Sequence, residues 1–321
     1  MSDITIIGGI TADIEGNPYG QLARGESNPG KISIAYGGVG RNITENLARL
    51  GADVAFVSAA GNDFVGRAAV QELKQLGVNI EKVSLLDDEN TAMYLSILNI
   101  VGDMELALCN MDVLERISID FIHDAMKVLK ASKIVGIDAN LTEEVQDFIT
   151  RKLHDAGIPV FLDPVSAPKA ERAKKMIGRF HTIKPNRGEA EILSGLSILN
   201  EEQLRGAGRW FSQQGVKRIF ITLGSGGVYY KEGEREGIIR PQAVHLVSAT
   251  GAGDAFSAAI MDAHVKQMDI EETARYGMAA AAVAMEAKTA VNPKMCLESI
   301  DEKLRKGIFN LSLLNNNVLI E

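Results

Sequence analysis

The residues best suited to chemistry lie in Ser248-Ala-Thr-Gly-Ala-Gly-Asp254, which runs directly into an apolar helical pattern. A helix that begins here directs free backbone N–H groups and the positive end of its dipole at a bound group, so it favours an anion. Asp254 at the same point can take a proton from a hydroxyl. Together these features suit phosphoryl transfer to an alcohol, in which negative charge develops and the attacking oxygen needs a base. The alternative is a simple helix cap, a common role of Asp.

Two other glycine-rich turns are candidate binding loops. Gly37-Gly-Val-Gly-Arg-Asn42 lets backbone approach a ligand closely, and the Asn42 amide can exchange hydrogen bonds with hydroxyls. It is not a Walker A loop, because no Gly-Lys-Ser/Thr follows, and no acid follows at the spacing of a dinucleotide site. Thr222-Leu-Gly-Ser-Gly-Gly227 is the second turn, and it follows a predicted strand.

Polar side chains also follow predicted strands. Asp13 comes after the first strand and Gly8-Gly9, where α/β folds place groups that bind ligands, although a surface turn is the alternative. Asn186 and Glu189 form an Asn-x-x-Glu motif past another strand. That spacing fits a helix capping box, with Asn186 as the N-cap and Glu189 at the third helical position.

The elements that must position these residues alternate between strand and helix patterns along the chain. The predicted strands are 4–7, 54–57, 133–137, 160–162, 182–183 and 218–222, with a further strand-like run over 243–247. The predicted helices are 40–50, 64–76, 118–131, 143–156, 187–195, 200–214, 253–267 and 270–287. Several helices end at glycine, as expected of a stop signal. The alternation predicts an α/β fold with a mostly parallel sheet covered on both faces.

Segments 14–36 and 91–109 interrupt this rhythm. The second predicts a β-hairpin with its turn at Val101-Gly-Asp103, and the pair of segments favours a separate small sheet over an extra sheet edge. No linker divides the chain, so we expect one domain over residues 1–321. Residues 306–321 fit no motif and form a candidate C-terminal extension.

The composition restricts the class of protein. The chain has 321 residues, is 46% hydrophobic, and carries a formal net charge of −8 with a pI near 5.3, which argues against nucleic acid or an anionic membrane as partner. Cys109 and Cys296 show neither metal-ligand nor disulfide spacing, so a reducing cytoplasm is expected. We expect no signal peptide and no membrane span. The five histidines are scattered and are assigned no role.

Two glycine-rich segments, 37–42 and 250–254, are similar to the signatures of the ribokinase-like (PfkB) carbohydrate kinases. They and Asn-x-x-Glu occur in the order found in that family, which the chain resembles over about residues 3–305. The resemblance implies a three-layer α/β sandwich with a mostly parallel central sheet and a small β-sheet lid over the active site. It also implies ATP and Mg²⁺ as cofactors. By analogy, the lid can pair with that of a second copy to form a homodimer.

The resemblance assigns roles to single residues. The anion hole would be Gly251, Ala252 and Gly253, with Asp254 as the catalytic base. The sugar would be bound by Asp13, Gly37, Gly38 and Asn42, of which Asp13 would accept hydrogen bonds from two sugar hydroxyls. Asn186 and Glu189 would hold Mg²⁺ through water, and the nucleotide would contact Asn186, Thr222, Gly224, Gly227 and Asn292. Ser248 stands where the family usually has an acidic residue, and Gly226 where it often has lysine. The first departure bears on a monovalent-cation site, for example for K⁺.

A narrower resemblance points to the pseudouridine kinases. It rests on residues 37–51, Asn110-Met-Asp112, Asp138-Ala-Asn140 and Asp163-Pro-Val-Ser166. It implies transfer of phosphate from ATP to the 5′-hydroxyl of pseudouridine. The alternatives are a kinase of another ribonucleoside or of a free sugar such as ribose or fructose, and a non-catalytic sugar- or nucleoside-binding regulator. A nucleotide-dependent oxidoreductase is disfavoured, because no dinucleotide fingerprint follows the first strand.

Overall fold

A computed structural model of the chain describes residues 2–241 and 247–307, together with the backbone of residues 309–312. Its strands are β1 (Ile4–Ile7), β2 (Thr11–Pro18), β3 (Gly30–Gly37), β4 (Val54–Gly61), β5 (Asn79–Leu86), β6 (Ala92–Leu98), β7 (Met104–Asn110), β8 (Ile134–Asp138), β9 (Val160–Asp163), β10 (Thr182–Ile183), β11 (Arg218–Thr222), β12 (Val228–Glu232), β13 (Arg235–Pro241) and β14 (Phe309–Ser312). Its α-helices are α1 (Val39–Arg49), α2 (Phe64–Gln75), α3 (Ile119–Ala131), α4 (Glu143–Asp155), α5 (Ala167–Ala173), α6 (Arg187–Ser194), α7 (Glu201–Gln214), α8 (Ala252–Val265), α9 (Ile270–Ala284) and α10 (Leu297–Arg305).

The large sheet has the strand order β14-β13-β12-β11-β10-β9-β8-β1-β4-β5. Neighbouring strands are parallel from β5 to β11 and antiparallel from β11 to β14. After β1, the next strand of the large sheet, β4, lies on one side of β1, and the later strand β8 lies on the other side. This reversal opens a crevice at the carboxyl ends of β1 and β8, where doubly wound sheets bind ligands.

Apolar side chains bury both faces of this sheet. Successive residues of a strand point to opposite faces, so Phe161 packs into one core and Leu162 into the other. Helices α1, α2, α8, α9 and α10 cover the first face, and α3 to α7 cover the second. The molecule is therefore a three-layer sandwich.

A separate small sheet has the order β3-β2-β6-β7, with β2 and β6 parallel and the two outer pairs antiparallel. Asp13, Tyr94 and Cys109 lie in register on neighbouring strands and share one face. The other face carries large apolar side chains, and four of them are exposed: Ile32, Ile34, Leu106 and Leu108. The small sheet is thus amphipathic, and among the described residues it joins the two main cores only near its base, through Ala92 and Tyr36.

The fold class predicted from the sequence is confirmed, and every strand and helix predicted within the described residues is present. Strands β2, β5, β12, β13 and β14 and helices α5 and α10 were not predicted. Of the strand-like run at 243–247, residues 243–246 lie outside the described residues. In the candidate extension, backbone 309–312 pairs with β13 as β14, whereas residues 308 and 313–321 lie outside the described residues. Within the described part of the chain, no helix is both long and apolar enough to cross a membrane.

Candidate active site

Helix α8 begins at a backbone turn that only glycine fits. Gly251, its N-cap, has a φ of 78°, and a Cβ at this position would collide with the carbonyl oxygen of Ala290. The turn places Ala252, Gly253 and Asp254 in the first helical turn, where backbone N–H groups have no acceptor within the helix. The predicted anion hole and the predicted base therefore share one helix end.

The Asp254 carboxylate is held by Asn42, whose Nδ2 donates a hydrogen bond of 2.9 Å to Oδ2. Burial first, and then the nearby Asp163 carboxylate, raise the pKa of Asp254 to about 7, against the lowering effects of Asn42 and Lys184. A carboxyl with this pKa exchanges protons at neutral pH, which is the requirement for a general base. The structure thus brings Asn42 and Asp254 together from positions 212 residues apart.

Asn42 has its amide orientation fixed by its neighbour. Arg41 Nη1 donates to Asn42 Oδ1 at 3.1 Å, which leaves Nδ2 free to donate to Asp254. The Arg41 guanidinium is itself buried and forms ion pairs with Glu45 and Glu72. Arg41 was not predicted, although it stands inside the glycine-rich signature.

Lys184 is a central charge that sequence reasoning missed. Its buried ammonium lies 3.1 Å from Asp163 Oδ2, and it acts electrostatically on Glu189 and Asp254. A Cβ at Gly253 would lie 3.2 Å from Lys184 Nζ, so the ammonium sits against the first turn of α8. The only signal in the sequence was that Lys184 lies in the segment 182–189, two residues before Asn186. No motif spacing marks a lysine at that position as functional.

The predicted sugar-binding residues form a second cluster. Asp13 lies within β2 of the small sheet, not directly at the end of β1, and its Oδ1 accepts a 2.8 Å hydrogen bond from Thr11 Oγ1. Burial raises its pKa, against the effects of Thr11 and Arg41. A Cβ at Gly37 would collide with the Asp13 carboxylate, and one at Gly38 with the backbone of Gly9. The two glycines therefore make room for Asp13 and for the turn that enters α1.

Asp138 joins the two sides of the crevice. It is fully buried at the end of β8, and its Oδ2 accepts hydrogen bonds from the backbone N–H groups of Gly9 at 3.0 Å and Gly40 at 2.9 Å. Because the glycines at 8 and 40 carry no Cβ, the loop after β1 and the start of α1 can both reach this carboxylate. Asp138 thus positions the binding loops without contacting solvent.

Asn186 and Glu189 form a complete capping box at the start of α6. Glu189 N donates to Asn186 Oδ1 at 2.9 Å, and Asn186 N donates to Glu189 Oε2 at 2.8 Å. The capping interpretation is confirmed. Burial and Asp163 raise the pKa of Glu189, while its hydrogen bond from Asn186 and the Lys184 charge lower it. This carboxylate is the kind of hard oxygen donor that a Mg²⁺ water shell contacts, so the residues also fit the metal interpretation.

The loop predicted to contact the nucleotide, residues 222–227, lies beside this cap. Thr222 and Asn186 form an isolated parallel bridge, and Thr222 N donates to Pro185 O at 2.9 Å. Gly224 is exposed with open space where a side chain would be, whereas Gly227 packs against the backbone of Ile239. The loop therefore offers bare backbone at Gly224 and a fixed turn at Gly227.

Asn292 was predicted to contact the nucleotide, but its side-chain amide bonds to neighbouring backbone in the structure. It is buried, its Nδ2 donates to Val283 O at 2.6 Å, and its Oδ1 accepts from Lys294 N at 2.9 Å. Both ends of the amide are thus hydrogen-bonded to backbone groups. Asn292 lies two residues after Ala290, whose carbonyl packs against Gly251. Asn292 shapes this wall of the site through the backbone.

A cationic group that was not predicted lies near the small sheet. Lys169 of α5 donates a hydrogen bond to Asn140 Oδ1. Burial lowers the pKa of Lys169, while Asp138 raises it and Cys109 of β7 also acts on it electrostatically. Asn140 belongs to the motif Asp138-Ala-Asn140 noted in the sequence, but Lys169 had no motif of its own.

A protein-only metal centre is not found in the part of the chain that the structure describes, where no three His, Cys, Asp or Glu side chains are grouped to hold an ion. Mg²⁺ in phosphate-handling sites needs few protein ligands, because waters and substrate phosphates complete its shell. The donor set at Asn186 and Glu189 is therefore compatible with Mg²⁺.

Comparisons with known proteins identify the family of the chain. The model of the pfkB family carbohydrate kinases matches residues 1–295. A pseudouridine kinase of Escherichia coli (strain K12) is 34% identical over 298 residues, which cover 92% of this chain and 95% of the relative.

Two solved structures match closely. A putative sugar kinase from Clostridium perfringens has a TM-score of 0.87 at 31% identity, covering 97% of this chain and 98% of that one. Arabidopsis thaliana ribokinase, complexed with ribose and ATP, has a TM-score of 0.82 at 25% identity, covering 95% and 99%. The resemblance inferred from the motifs is confirmed: the chain is an enzyme that belongs to the PfkB family of carbohydrate kinases.

Proposed function

We propose that the protein transfers the γ-phosphoryl group of ATP to the 5′-hydroxyl of a ribonucleoside, with pseudouridine as the preferred substrate. One observation carries the proposal: Asp254, with a pKa of about 7, sits at the open end of α8 and is hydrogen-bonded to Asn42 of the predicted sugar loop. The similarity to a pseudouridine kinase and to a ribokinase bound to ribose and ATP supports the substrate class.

In the proposed reaction, Asp254 takes the proton of the 5′-hydroxyl as its oxygen attacks the γ-phosphorus. The O–H bond breaks, the new O–P bond forms, and the bond to the β-phosphate oxygen breaks to release ADP. The N–H groups at the start of α8 stabilise charge on the transferred group. Mg²⁺, when bound beside Asn186 and Glu189, neutralises phosphate charge. Lys184, seated against Gly253, adds a fixed positive charge behind the same helix end.

The two carboxylates in the site have distinct tasks in this proposal. Asp13 faces the sugar and accepts hydrogen bonds from vicinal hydroxyls, while Asp254 handles the reacting one. A non-catalytic regulator would need neither a base with a neutral pKa nor a buried carboxylate beside the phosphates. The charge arrangement around Lys184 therefore favours an enzyme with this chemistry over a binding protein.

The small sheet supports a nucleoside over a free sugar. Asp13, Tyr94 and Cys109 occupy one row across β2, β6 and β7, so Cys109 lies roughly 10 Å from Asp13 at ordinary strand spacing. Lys169 acts on Cys109 and is held by Asn140. A base attached to a ribose that Asp13 binds would extend toward this ammonium, which can donate to a base carbonyl.

We also propose that the protein forms a homodimer through the small sheet. Its outer face exposes Ile32, Ile34, Leu106 and Leu108 on two strands, β3 and β7. Contiguous apolar surface of this kind marks an interaction site. The favoured partner is a second copy of this chain, because the same apolar face of two copies can be buried together across a two-fold axis.

Replacing the base gives the first prediction. Asp254→Asn should lower kcat by roughly 10²–10⁴-fold with nucleotide binding retained. Wild-type kcat/KM should rise with pH through about 7, since only the carboxylate form accepts a proton. A carboxyl whose pKa is raised on folding destabilises the fold above its unfolded pKa, so the variant should gain more in Tm at pH 8 than at pH 5.

The control is Asp120→Asn, which changes an exposed first-turn acid of α3. It removes the same helix-dipole interaction and should leave kcat unchanged. Turnover of Asp254→Asn within about threefold of wild type would show that Asp254 is only a first-turn acid.

The second prediction separates metal binding from helix capping. Glu189→Gln keeps an oxygen for the capping box but removes the charge, so the Mg²⁺ concentration for half-maximal rate should rise at least several-fold with little change in Tm. The matched control is Glu272→Gln, in the equivalent capping box with Asp269 on α9. Equal Mg²⁺ dependence in both variants would leave Glu189 with the capping role alone.

The third prediction concerns the sugar. The 2′-deoxy form of the substrate loses one hydrogen bond to the charged Asp13, which should lower kcat/KM roughly 10- to 150-fold in the wild type. In Asp13→Ala this preference for the ribo form should largely vanish. Measuring kcat/KM for both sugars on both proteins completes the cycle, and a preference that survives in the variant would rule out Asp13 as the group that recognises the diol.

The fourth prediction tests the base. An ATP-consumption assay with pseudouridine, uridine, adenosine, ribose and fructose should give the highest kcat/KM for pseudouridine. Lys169→Met should lower kcat/KM for pseudouridine by roughly tenfold or more and leave that for ribose within about twofold. Lys175→Met, an exposed lysine paired with Glu143, is the control. An equal loss on both substrates would assign Lys169 a structural role.

The fifth prediction concerns assembly. Sedimentation should give a dimer for the wild type, and Ile34→Glu or Leu108→Glu should give a monomer, because a charge cannot be buried unpaired in an apolar interface. Leu199→Glu, at a comparably exposed site between α6 and α7, should leave the dimer intact. A monomeric wild type would refute the lid-to-lid dimer.

A further inference from the structure

A cavity lies at the amino ends of the parallel strands, at the opposite end of the strands from the candidate active site. Its volume is about 420 Å³, and it sits where β10 and β11 begin and α8 ends. We call it the distal cavity. Its polar lining consists of Lys133, His181, Arg218, Glu232, His264 and Gln267. No residue of the predicted site takes part in it.

Two histidines that are 83 residues apart in sequence meet in the distal cavity. The rings of His181 and His264 pack edge to face with centroids 5.0 Å apart. Burial lowers the pKa of His181 to about 4, helped by His264, Arg218 and Lys217, and burial and Arg218 likewise lower that of His264. Both rings are therefore neutral at neutral pH, held so by burial and by surrounding positive charge.

Arg218 supplies a buried donor that is incompletely used. Its Nη2 donates to Met268 O at 3.1 Å and to Thr273 Oγ1 at 3.0 Å. Its Nε lies 3.3 Å from Glu232 Oε1 as an ion pair, but has no hydrogen-bond partner among the described residues. A buried N–H without a partner is uncommon, and an acceptor that enters the cavity would satisfy it.

We propose that the distal cavity binds a small oxyanion with two negative charges, the chemistry that a phosphate or a sulfate group shares. The anion would accept hydrogen bonds from the Arg218 guanidinium and from the imidazole N–H groups of His181 and His264. It also reverses the local electrostatics, because its charge favours the protonated imidazoles that the empty cavity disfavours. Binding is therefore accompanied by proton uptake.

The charges around the histidines are consistent with this ligand. The cations are Lys217, Arg218 and Lys133, of which Lys133 is paired with Asp3. The acids are Glu232, which is half exposed, and Asp269, which acts on Arg218. Glu232 is thus the natural competitor of an anion for Arg218. The described residues contain no cluster of three metal-ligating side chains, so the paired histidines do not form such a cation site.

The distal cavity is separate from the phosphate-handling end of the site. His181 precedes Lys184 by three residues, across the short strand β10, a distance of roughly 10 Å. His264 lies ten residues after Asp254 on α8, roughly 15 Å along the helix. An anion here contacts the far ends of the elements that hold Lys184 and Asp254, and so it is not a phosphate of bound ATP.

The test is an NMR titration of the histidine ring signals of the full chain with sulfate, which stays dianionic over the pH range used, against chloride at equal ionic strength. Sulfate should raise the pKa values of His181 and His264 by about one unit or more, equivalent to roughly tenfold tighter binding to the protonated form. The exposed His154 is the internal control and should not shift.

Variants locate the bound ion. Glu232→Gln removes the competing carboxylate and should tighten sulfate binding several-fold, whereas His264→Gln should weaken it at least about tenfold. His154→Gln is the matched control and should bind as the wild type does. Ring signals of His181 and His264 that respond no more to sulfate than to chloride would overturn the proposal, as would unchanged affinity in both Glu232→Gln and His264→Gln.

Discussion

The arrangement of the active site depends on one buried ammonium group. Lys184 lies among the carboxylates of Asp163, Glu189 and Asp254, which would repel one another in a poorly solvated pocket. Its charge is paired with Asp163 and opposes the rise in the pKa of Asp254 that burial causes. Because Lys184 follows β10 directly, the sheet itself fixes this charge beneath the first turn of α8. The electrostatics of Asp254, the proposed base, therefore follow from strand position as much as from the motif that contains it.

Close backbone approach is the second constraint, and glycine makes it possible. Asp138 reaches the N–H groups of Gly9 and Gly40 because the glycines at 8 and 40 carry no Cβ, and Gly251 starts α8 against Ala290 for the same reason. These contacts join β1, α1 and α8 at the crevice between β1 and β8. A side chain at any of these glycines would separate the loops that carry Asn42 and Asp254. The glycine-rich signatures thus act through geometry as well as through any ligand they contact.

The sequence allowed the fold class and the local motifs to be predicted, since alternating strand and helix patterns and glycine spacing are short-range signals. Asp254, Asn42 and the Asn186–Glu189 cap stand in such motifs. Lys184 and the pair His181–His264 could not be identified in this way, because their meaning arises only when strands and α8 pack. Asn292 illustrates a different limit: the motif suggested a nucleotide contact, but the direction of its amide, which bonds to backbone, could not be predicted from sequence.

The short strand β10 connects the distal cavity to the candidate active site. β10 has only two residues, so the segment from His181 to Lys184 runs from the distal cavity to the charge behind the base. Only the two buried residues of β10 separate His181 from Lys184, so water would only weakly screen the effect of a charge change at His181 on Lys184. If occupancy of one end alters affinity at the other, linkage requires the reverse effect of equal size. Such coupling would arise through β10, which separates His181 from Lys184, and through helix α8, which carries both Asp254 and His264.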